Sequence, residues 1–451
     1  MGRLFGTDGV RGVANKDLTA TLAFEIGRAA AFVLGKENEK PVFVIGKDTR
    51  ISGDMLENAL TAGVLSVGGN VIKVGVMPTP AVAYLVKHYD GDAGVVISAS
   101  HNTFEYNGIK IFNGDGFKLD DRIEEKIEDI ILSGEFSHPE YVGDRLGRCV
   151  EAEENALGVY TKFLESTIDA DLSGLKVVLD TANGASYITA PTVYEALGAD
   201  VTTLFHDPDG ININEGCGST HPEALQQKVV ELGADIGLAF DGDADRLIVV
   251  DEKGRLVDGD RIMCICGKML SDEGVLFGDK VTATVMSNIG LGKYLAEYGI
   301  GVDVTKVGDR YVLESMLETG GVLGGEQSGH MIFLNLTTTG DGVLSSLQFI
   351  RALLASGKKV SELRDEIKIY PQALVNAKVD PEKKTLVLED PAIKAKIAET
   401  EAKVEGTGRV LIRVSGTEPI IRVMLEGEDA SEIQGYAEDI ADMIIDRYGI
   451  K

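Results

Sequence analysis

The densest chemistry in this chain is Phe240-Asp241-Gly242-Asp243-Ala244-Asp245-Arg246, which directly follows the apolar run Ile236 to Phe240. A buried strand predicted there releases three carboxylates at alternate positions. Such a set converges on one hard divalent cation, with Mg²⁺ the expected ion where phosphate also binds. A solvated acidic turn is a poor account, because aspartates crowded into one turn repel unless a cation offsets them. An EF-hand loop would match the aspartates at positions one, three and five and Glu252 at twelve. Arg246 stands at position six, however, where glycine is needed, and a strand precedes the loop. A phosphatase loop with Asp241 as nucleophile is the remaining rival.

Four further segments carry reactive groups. Gly94-Val95-Val96-Ile97-Ser98-Ala99-Ser100-His101-Asn102 reads as a second strand ending in hydroxyls, which puts Ser100 where α/β sheets bind ligands. It lacks the Gly-x-Ser-x-Gly elbow of hydrolases. Downstream, Asn107-Gly108-Ile109-Lys110 offers an amine suited to a proton or a phosphate. Gly324-Gly325-Glu326-Gln327-Ser328-Gly329-His330 surrounds polar side chains with glycines, so backbone approaches a ligand while Glu326 and Ser328 read hydroxyl groups. Arg413-Val414-Ser415-Gly416-Thr417-Glu418-Pro419 with Arg422 forms a phosphate cradle of hydroxyls, amides and guanidiniums. Gly6-Thr7-Asp8-Gly9-Val10-Arg11-Gly12 and Lys47-Asp48-Thr49-Arg50 add cations.

The elements that must position these groups repeat. Strand, crossover helix and strand recur at 42–46, 58–65 and 70–74, again at 176–180, 190–196 and 199–201, and again at 280–285, 291–298 and 302–304. This is the βαβ grammar of mixed or parallel sheets. The fold class is α/β: three similar α/β domains with mixed sheets, followed by a smaller α+β domain with strands at 410–414 and 421–425 and a helix at 431–447. Polar joints at 138–156, 251–260 and around Pro371 place the domains at 1–153, 154–253, 254–368 and 369–451.

The 451 residues suffice for several cores. Lys+Arg 44 against Asp+Glu 72 gives a net charge of −28, which repels nucleic-acid backbones and leaves any anionic ligand to a local positive site. The apolar stretch Leu22 to Leu34 is interrupted by Glu25 and Arg28, so neither a signal segment nor a membrane span is expected, and a cytoplasmic location is. Cys149, Cys217, Cys264 and Cys266 form no CxxC pair; Cys264 and Cys266 read as small core hydrophobes.

In this order and over nearly the whole chain, these segments resemble the α-D-phosphohexomutase superfamily. The Phe5 to Gly12 opening and Gln327 within Gly325-Glu326-Gln327-Ser328-Gly329-His330 resemble its branch acting on glucosamine phosphates; branches acting on mannose and glucose phosphates usually carry Met at the position of Gln327. The resemblance implies four domains around a central cleft. It makes Ser100 the carrier of a phosphoryl group, with Asp241, Asp243 and Asp245 holding one Mg²⁺ per chain against it. Lys110, His330 and Arg11 match positions for acid–base work or charge stabilisation. Glu326, Ser328 and Arg246 match substrate-binding positions, and Arg413, Ser415, Gly416, Thr417 and Arg422 match the loop holding the phosphate not being transferred. It also implies a sugar bisphosphate activator, a hexosamine phosphate substrate, and no nucleic-acid or membrane partner; oligomeric state is left open, a homodimer being one option. Three residues depart from the usual pattern: Thr103 where Pro is common, Ala244 where Gly is, and Val414 where Pro is. Ala244 would constrain the metal loop if its position required φ > 0.

Overall fold

A computed structural model describes residues 4–6, 8–35, 40–134, 141–152, 154–415 and 418–450. Its contacts gather into two units, Met1–Met286 with Gly299–Glu366, and Ser287–Tyr298 with Ile367–Lys451.

The first unit holds three sheets. The first contains β1 (Val10–Val13), β2 (Val42–Lys47), β3 (Asn70–Val76), β4 (Ala93–Ile97), β5 (Tyr106–Asn113) and β6 (Cys149–Val150) in the order β1-β5-β4-β2-β3-β6. β2 runs parallel to β3 and β4, whereas β5 is antiparallel to both β4 and β1. The continuous apolar runs of β2 and β4 follow from burial on both faces. The Leu22 to Leu34 stretch lies in the helix Ala20–Leu34, packed against the helix Gly53–Ser66. Their backbones approach closely because two glycines lack side chains: a Cβ on Gly27 would lie 2.3 Å from the Leu60 carbonyl oxygen, and one on Gly63 2.1 Å from that of Phe24.

The second sheet comprises β7 (Lys176–Asp180), β8 (Asp200–Leu204), β9 (Ile236–Phe240), β10 (Leu247–Asp251) and β11 (Leu256–Val257), ordered β11-β10-β9-β7-β8. The third comprises β12 (Lys280–Thr284), β13 (Gly301–Thr305), β14 (Leu323–Gly325) and β15 (Met331–Phe333), ordered β13-β12-β14-β15. In each of the three sheets the first repeated pair is parallel: β2 with β3, β7 with β8, β12 with β13. Two stretches read as polar joints contribute short strands instead. β11 turns back antiparallel on β10, and β6 lies parallel to β3.

The second unit is built on an antiparallel sheet of β16 (Gln372–Lys378), β17 (Arg409–Val414) and β18 (Ile420–Glu426), ordered β16-β18-β17. Ile421, Val423 and Leu425 of β18 form its core with Ile433, Ala437, Ile440 and Ile444 of the helix Ala430–Tyr448. The expected pair of strands is thus a triplet, β16 having been hidden beside Pro371. Segment 287–298 belongs here because Ile289 N–H donates to the buried Glu426 carboxylate at 3.1 Å and Asn288 Nδ2 donates to the Tyr370 carbonyl at 2.9 Å.

Among the described residues, no helix is long and apolar enough to cross a membrane. Cys264 and Cys266 are buried in the helix Gly259–Asp272, as core thiols should be.

Candidate active site

Ser100 lies three residues beyond β4, in left-handed backbone (φ 51°), and is 2% exposed. That conformation is uncommon for a residue with a Cβ. Here it aims the hydroxyl at the acidic loop, where Ser100 Oγ donates to Asp241 Oδ2 at 2.7 Å.

The loop itself leaves β9. Gly242 comes so near the Ser100 loop that a Cβ on it would lie 2.6 Å from the Ser100 carbonyl oxygen. Ala244 has φ 56°, so the unusual residue sits at the very position where φ > 0 is required. Gly342 N–H donates to the Ala244 carbonyl at 2.9 Å and Thr79 N–H to that of Asp243 at 3.0 Å, which pins the turn. One oxygen each from Asp241, Asp243 and Asp245 falls within 4.8 Å of the others. Asp243 Oδ1 and Asp245 Oδ1 are buried without a hydrogen-bond partner. Buried carboxylate oxygens are expensive to leave unpaired, so three converging carboxylates with two orphaned oxygens fit a bound Mg²⁺ well.

Counter-charges surround the loop. Lys110 Nζ lies 3.0 Å from Asp243 Oδ2, 3.2 Å from Asp8 Oδ2 and 3.6 Å from Asp245 Oδ2. Lys118 Nζ bridges Asp8 at 2.8 Å and Asp309 at 2.5 Å. His330 closes the circuit, with Nδ1 3.6 Å from Asp245 and Nε2 3.6 Å from Asp309. The result is a ring of alternating sign: Lys110, Asp8, Lys118, Asp309, His330, Asp245.

The ring sets the protonation states. Burial would lower Lys110, but Asp243, Asp8 and Asp245 outweigh it and hold the amine above its ordinary range. Burial likewise opposes the charged form of His330, and Asp245 and Asp309 overcome it, lifting the imidazole to about 9. Burial, with Asp245 and Asp243 adding to it, pushes Asp241 well up. Asp245 goes the other way, its burial outweighed by Lys110 and His330.

These groups border a cavity of about 400 Å³ lined by Arg11, Ser100, Arg246, Glu326 and His330 together with Asp8 and Asp309. Arg246 and His330 are brought side by side by a backbone bridge between them. Arg11 Nε, Arg246 Nε and His330 Nε2 are buried without a hydrogen-bond partner, an array of donors suited to an anion. Glu326 Oε1 accepts from Gly308 N–H at 3.1 Å, which anchors it on the rim.

Of the residues singled out in the sequence, Ser100, Lys110, Asp241, Asp243, Asp245, Arg246, Glu326, His330 and Arg11 are thus gathered in one place. Ser328 is exposed, in the turn between β14 and β15, and does not line the cavity. In the second unit, Arg413 and Arg422 pair across β17 and β18. Burial and the Arg422 charge lower Arg413, the signature of two cations sharing one patch. Ser415 follows β17, and its Oγ accepts from Glu418 N–H at 3.2 Å. Gly416 and Thr417 lie outside the described residues.

Sequence reasoning missed Asp8, Lys118 and Asp309 as members of the site. Asp8 stood inside a glycine-rich segment already noted, and Asp309 follows a glycine shortly after a strand. Lys118 carries no local signal.

Matches to known proteins cover nearly the whole chain. Models described as phosphoglucomutase/phosphomannomutase alpha/beta/alpha domains I, II and III match residues 2–138, 159–254 and 258–370, and the C-terminal domain of the same family matches 374–443. A phosphoglucosamine mutase of Clostridium novyi is 56% identical over 444 residues, 98% of this chain and 99% of that one. A phosphoglucomutase/phosphomannomutase family protein from Burkholderia thailandensis superposes with a TM-score of 0.81 at 25% identity, covering 98% of this chain and 97% of the other. N-acetylphosphoglucosamine mutase of Aspergillus fumigatus, in complex with GlcNAc-6P and magnesium, shares the fold at a TM-score of 0.70 and 17% identity, over 98% and 95% of the two chains.

Proposed function

Because the chain belongs to the phosphoglucosamine mutase family of the phosphohexomutases, we propose that it interconverts glucosamine 6-phosphate and glucosamine 1-phosphate. The observation that carries this reading is the buried Ser100 hydroxyl held 2.7 Å from the first carboxylate of a converging aspartate triad.

Phosphoryl transfer demands positioning and charge stabilisation more than covalent chemistry. In the forward direction phospho-Ser100 donates to the 1-hydroxyl of glucosamine 6-phosphate. The bond from phosphorus to the Ser100 oxygen breaks, a bond to the sugar oxygen forms, and the sugar hydroxyl gives up its proton while the departing Ser100 oxygen takes one up and leaves as a hydroxyl. The bisphosphorylated sugar turns end for end. Its 6-phosphoryl group then passes to Ser100 Oγ, the Ser100 hydroxyl gives up its proton as the sugar 6-oxygen takes one up, and the enzyme is phosphorylated again. A sugar bisphosphate therefore serves as the activator that restores a lost phosphoryl group.

The two basic groups at the site divide the work. Lys110 is held protonated by three carboxylates, so it supplies positive charge to the transferring group. His330, lifted to about 9, is protonated at neutral pH and is placed to donate a proton to a leaving oxygen. Arg11 and Arg246 offer guanidinium groups to phosphate oxygens. Asp241, Asp243 and Asp245 would hold Mg²⁺, on which the superfamily depends, and the ion would neutralise charge on the phosphoryl oxygens. Glu326 and Ser328 are assigned to the sugar hydroxyls. Arg413, Ser415, Gly416, Thr417 and Arg422 are assigned to the phosphate that is not transferred, an assignment supported by the paired guanidiniums.

The sugar is argued from charge. Asp8 and Asp309 are paired with Lys110, Lys118 and His330, which leaves Glu326 as the carboxylate of the lining outside that ring, placed to meet the 2-ammonium group of glucosamine. Glucosamine phosphate feeds the synthesis of nucleotide-linked amino sugars, the role this family membership suggests.

The test is ³¹P NMR of the purified protein with Mg²⁺, a trace of sugar bisphosphate, and equal glucosamine 6-phosphate and mannose 6-phosphate. Glucosamine 1-phosphate should grow in first. Ser100→Ala should lower turnover by roughly 10³-fold or more. Mannose 1-phosphate appearing first would overturn the sugar assignment, and inorganic phosphate alone would replace the mutase with an Asp241-nucleophile phosphatase.

A further inference from the structure

The strained peptide of Ser100 sits inside a closed circuit of buried hydrogen bonds. Ser100 N–H donates to Ser98 Oγ at 3.0 Å, and Ser98 Oγ donates in turn to Asp48 Oδ2 at 2.6 Å. Asp48 accepts from Arg50, at Oδ2 from Nε at 2.8 Å and at Oδ1 from the backbone N–H at 3.0 Å. Arg50 Nη2 then returns to Ser100, donating to its carbonyl at 2.9 Å and to that of Asn102 at 2.8 Å, while Nη1 reaches the Thr103 carbonyl. The same two carbonyls, of Ser100 and Asn102, also each accept from Asn214 Nδ2 at 2.9 Å. Asn214 comes from the opposite side, in the chain between β8 and β9.

Three physical points set this arrangement apart from ordinary packing. The Asp48 and Arg50 side chains have no solvent exposure, and a guanidinium taken that far from water is tolerated only when its donors are satisfied. Four bonds leave the Arg50 side chain, and three of them end on consecutive or near-consecutive carbonyls of one loop. Second, left-handed backbone at a serine is unfavourable and persists only where the surroundings over-determine it. Third, neither Arg50 nor Asn214 lines the cavity, so neither is placed to touch substrate.

We infer that Arg50, locked by Asp48 and Ser98, and Asn214 are positioning residues that grip the Ser100 peptide from two sides and aim its side chain at the aspartate triad. The inference rests on the reading above that Ser100 carries the phosphoryl group. A phosphoserine that must serve first as donor and then as acceptor needs the same oxygen in the same place in both half-reactions. Released from the grip, the residue relaxes to ordinary backbone and its Cβ swings away from Asp241. Misplacement of a reacting atom by about 1 Å costs on the order of 10²-fold in rate.

The experiment compares wild type, Arg50→Lys and Asn214→Asp for kcat and KM with glucosamine 6-phosphate, with circular dichroism and thermal melting as folding controls. Arg50→Lys keeps the charge and loses the fork. Asn214→Asp keeps the shape and tolerance of left-handed backbone but turns a donor into an acceptor opposite two carbonyls. Each folded variant should lose about 10- to 100-fold in kcat while KM moves less than about threefold. A merely structural role would lower the melting temperature and the active fraction without a fall in the turnover of the protein that remains folded, so turnover is expressed per folded, Ser100-phosphorylated molecule, counted by mass spectrometry. If Arg50→Lys fails to fold, Asn214→Asp decides alone. Unchanged kcat per folded molecule, or a rise in KM at constant kcat, overturns the inference. Ser100→Ala run alongside separates the two claims: if it stays active, the phosphoserine reading falls, whereas if it is dead and both clamp variants turn over normally, only the clamp falls.

Discussion

Lys110→Met removes the ammonium that faces both Asp243 and Asp245 and should expose how the site balances its charge. Lys110 Nζ stands 3.0, 3.2 and 3.6 Å from carboxylate oxygens of Asp243, Asp8 and Asp245. At an effective dielectric constant of about 20, each contact corresponds to roughly 5 kcal/mol of gross attraction. Those attractions are largely offset by dehydration of a lysine only 2% exposed, so their sum is not the lysine's net contribution. Deleting one partner is different, because the surviving carboxylates stay buried and close together; the expected loss is about 3–5 kcal/mol. Methionine fills much of the same volume and isolates the charge. In EDTA the variant should therefore unfold at a distinctly lower urea midpoint than wild type. Saturating Mg²⁺ should raise the midpoint of the variant more than that of wild type, since the triad no longer shares its charge with an ammonium and gains more from the cation. A metal-free variant within about 1 kcal/mol of wild type, or an equal Mg²⁺ response in the two proteins, would refute the view that Lys110 is the standing counter-charge of the triad.

Other expectations follow from single residues. Asp180 is fully buried, accepts N–H bonds from Ala182 and Gly218 at 2.9 Å each, and is raised by burial from 3.8 to about 6 despite them. Its proton is thus held more tightly in the folded state. The stabilisation this brings is complete below about pH 4 and is lost as pH rises through about 6, a change of roughly 3 kcal/mol. Urea midpoints of wild type relative to Asp180→Asn should fall accordingly between pH 4 and 7; a constant difference would contradict it. Ala244→Gly relieves left-handed strain of about 1–2 kcal/mol, offset by about 0.5–1 kcal/mol of chain entropy and about 0.8 kcal/mol for one buried methyl. Stability should stay within about 1 kcal/mol with activity retained, as denaturant titration and turnover will show. Glu326→Gln should reduce the preference for glucosamine 6-phosphate over glucose 6-phosphate by on the order of 10-fold in kcat/KM, the difference between a charge-assisted and a neutral hydrogen bond. A ratio equal to that of wild type would remove Glu326 from sugar recognition.

How far the site could be read in advance depended on whether its partners were close in sequence. The aspartate triad was legible because Asp241, Asp243 and Asp245 share one turn after one apolar strand. Ser100 was legible because a buried strand ended in hydroxyls. Ala244 was recognisable as a departure, and the structure turned that remark into a φ of 56°. Lys118 was not legible: its meaning comes from Asp8, 110 residues earlier, and Asp309, 191 residues later. Arg50 was marked only as a cation and Asn214 not at all, since both act through carbonyl groups, which every residue has and no sequence pattern marks. Strand β16 was overlooked because Pro371 beside it reads as a break, while its alternating burial needs β18 to become visible.

Local composition and periodicity alone determined the repeated strand-helix-strand units, the acidic turn, the serine at a strand's end and the exclusion of a membrane-spanning apolar helix. Each of these is read from segments of neighbouring residues, and hydrophobic patterning and turn chemistry act at that range. Only the tertiary structure decided the alternating ring of charges, the elevated His330, the orphaned oxygens of Asp243 and Asp245, and the double grip on the Ser100 peptide. Those depend on distances of about 3 Å between groups far apart along the chain, and on the loss of water around them, which is what makes a charge or a carbonyl in this protein worth more than its bare residue type.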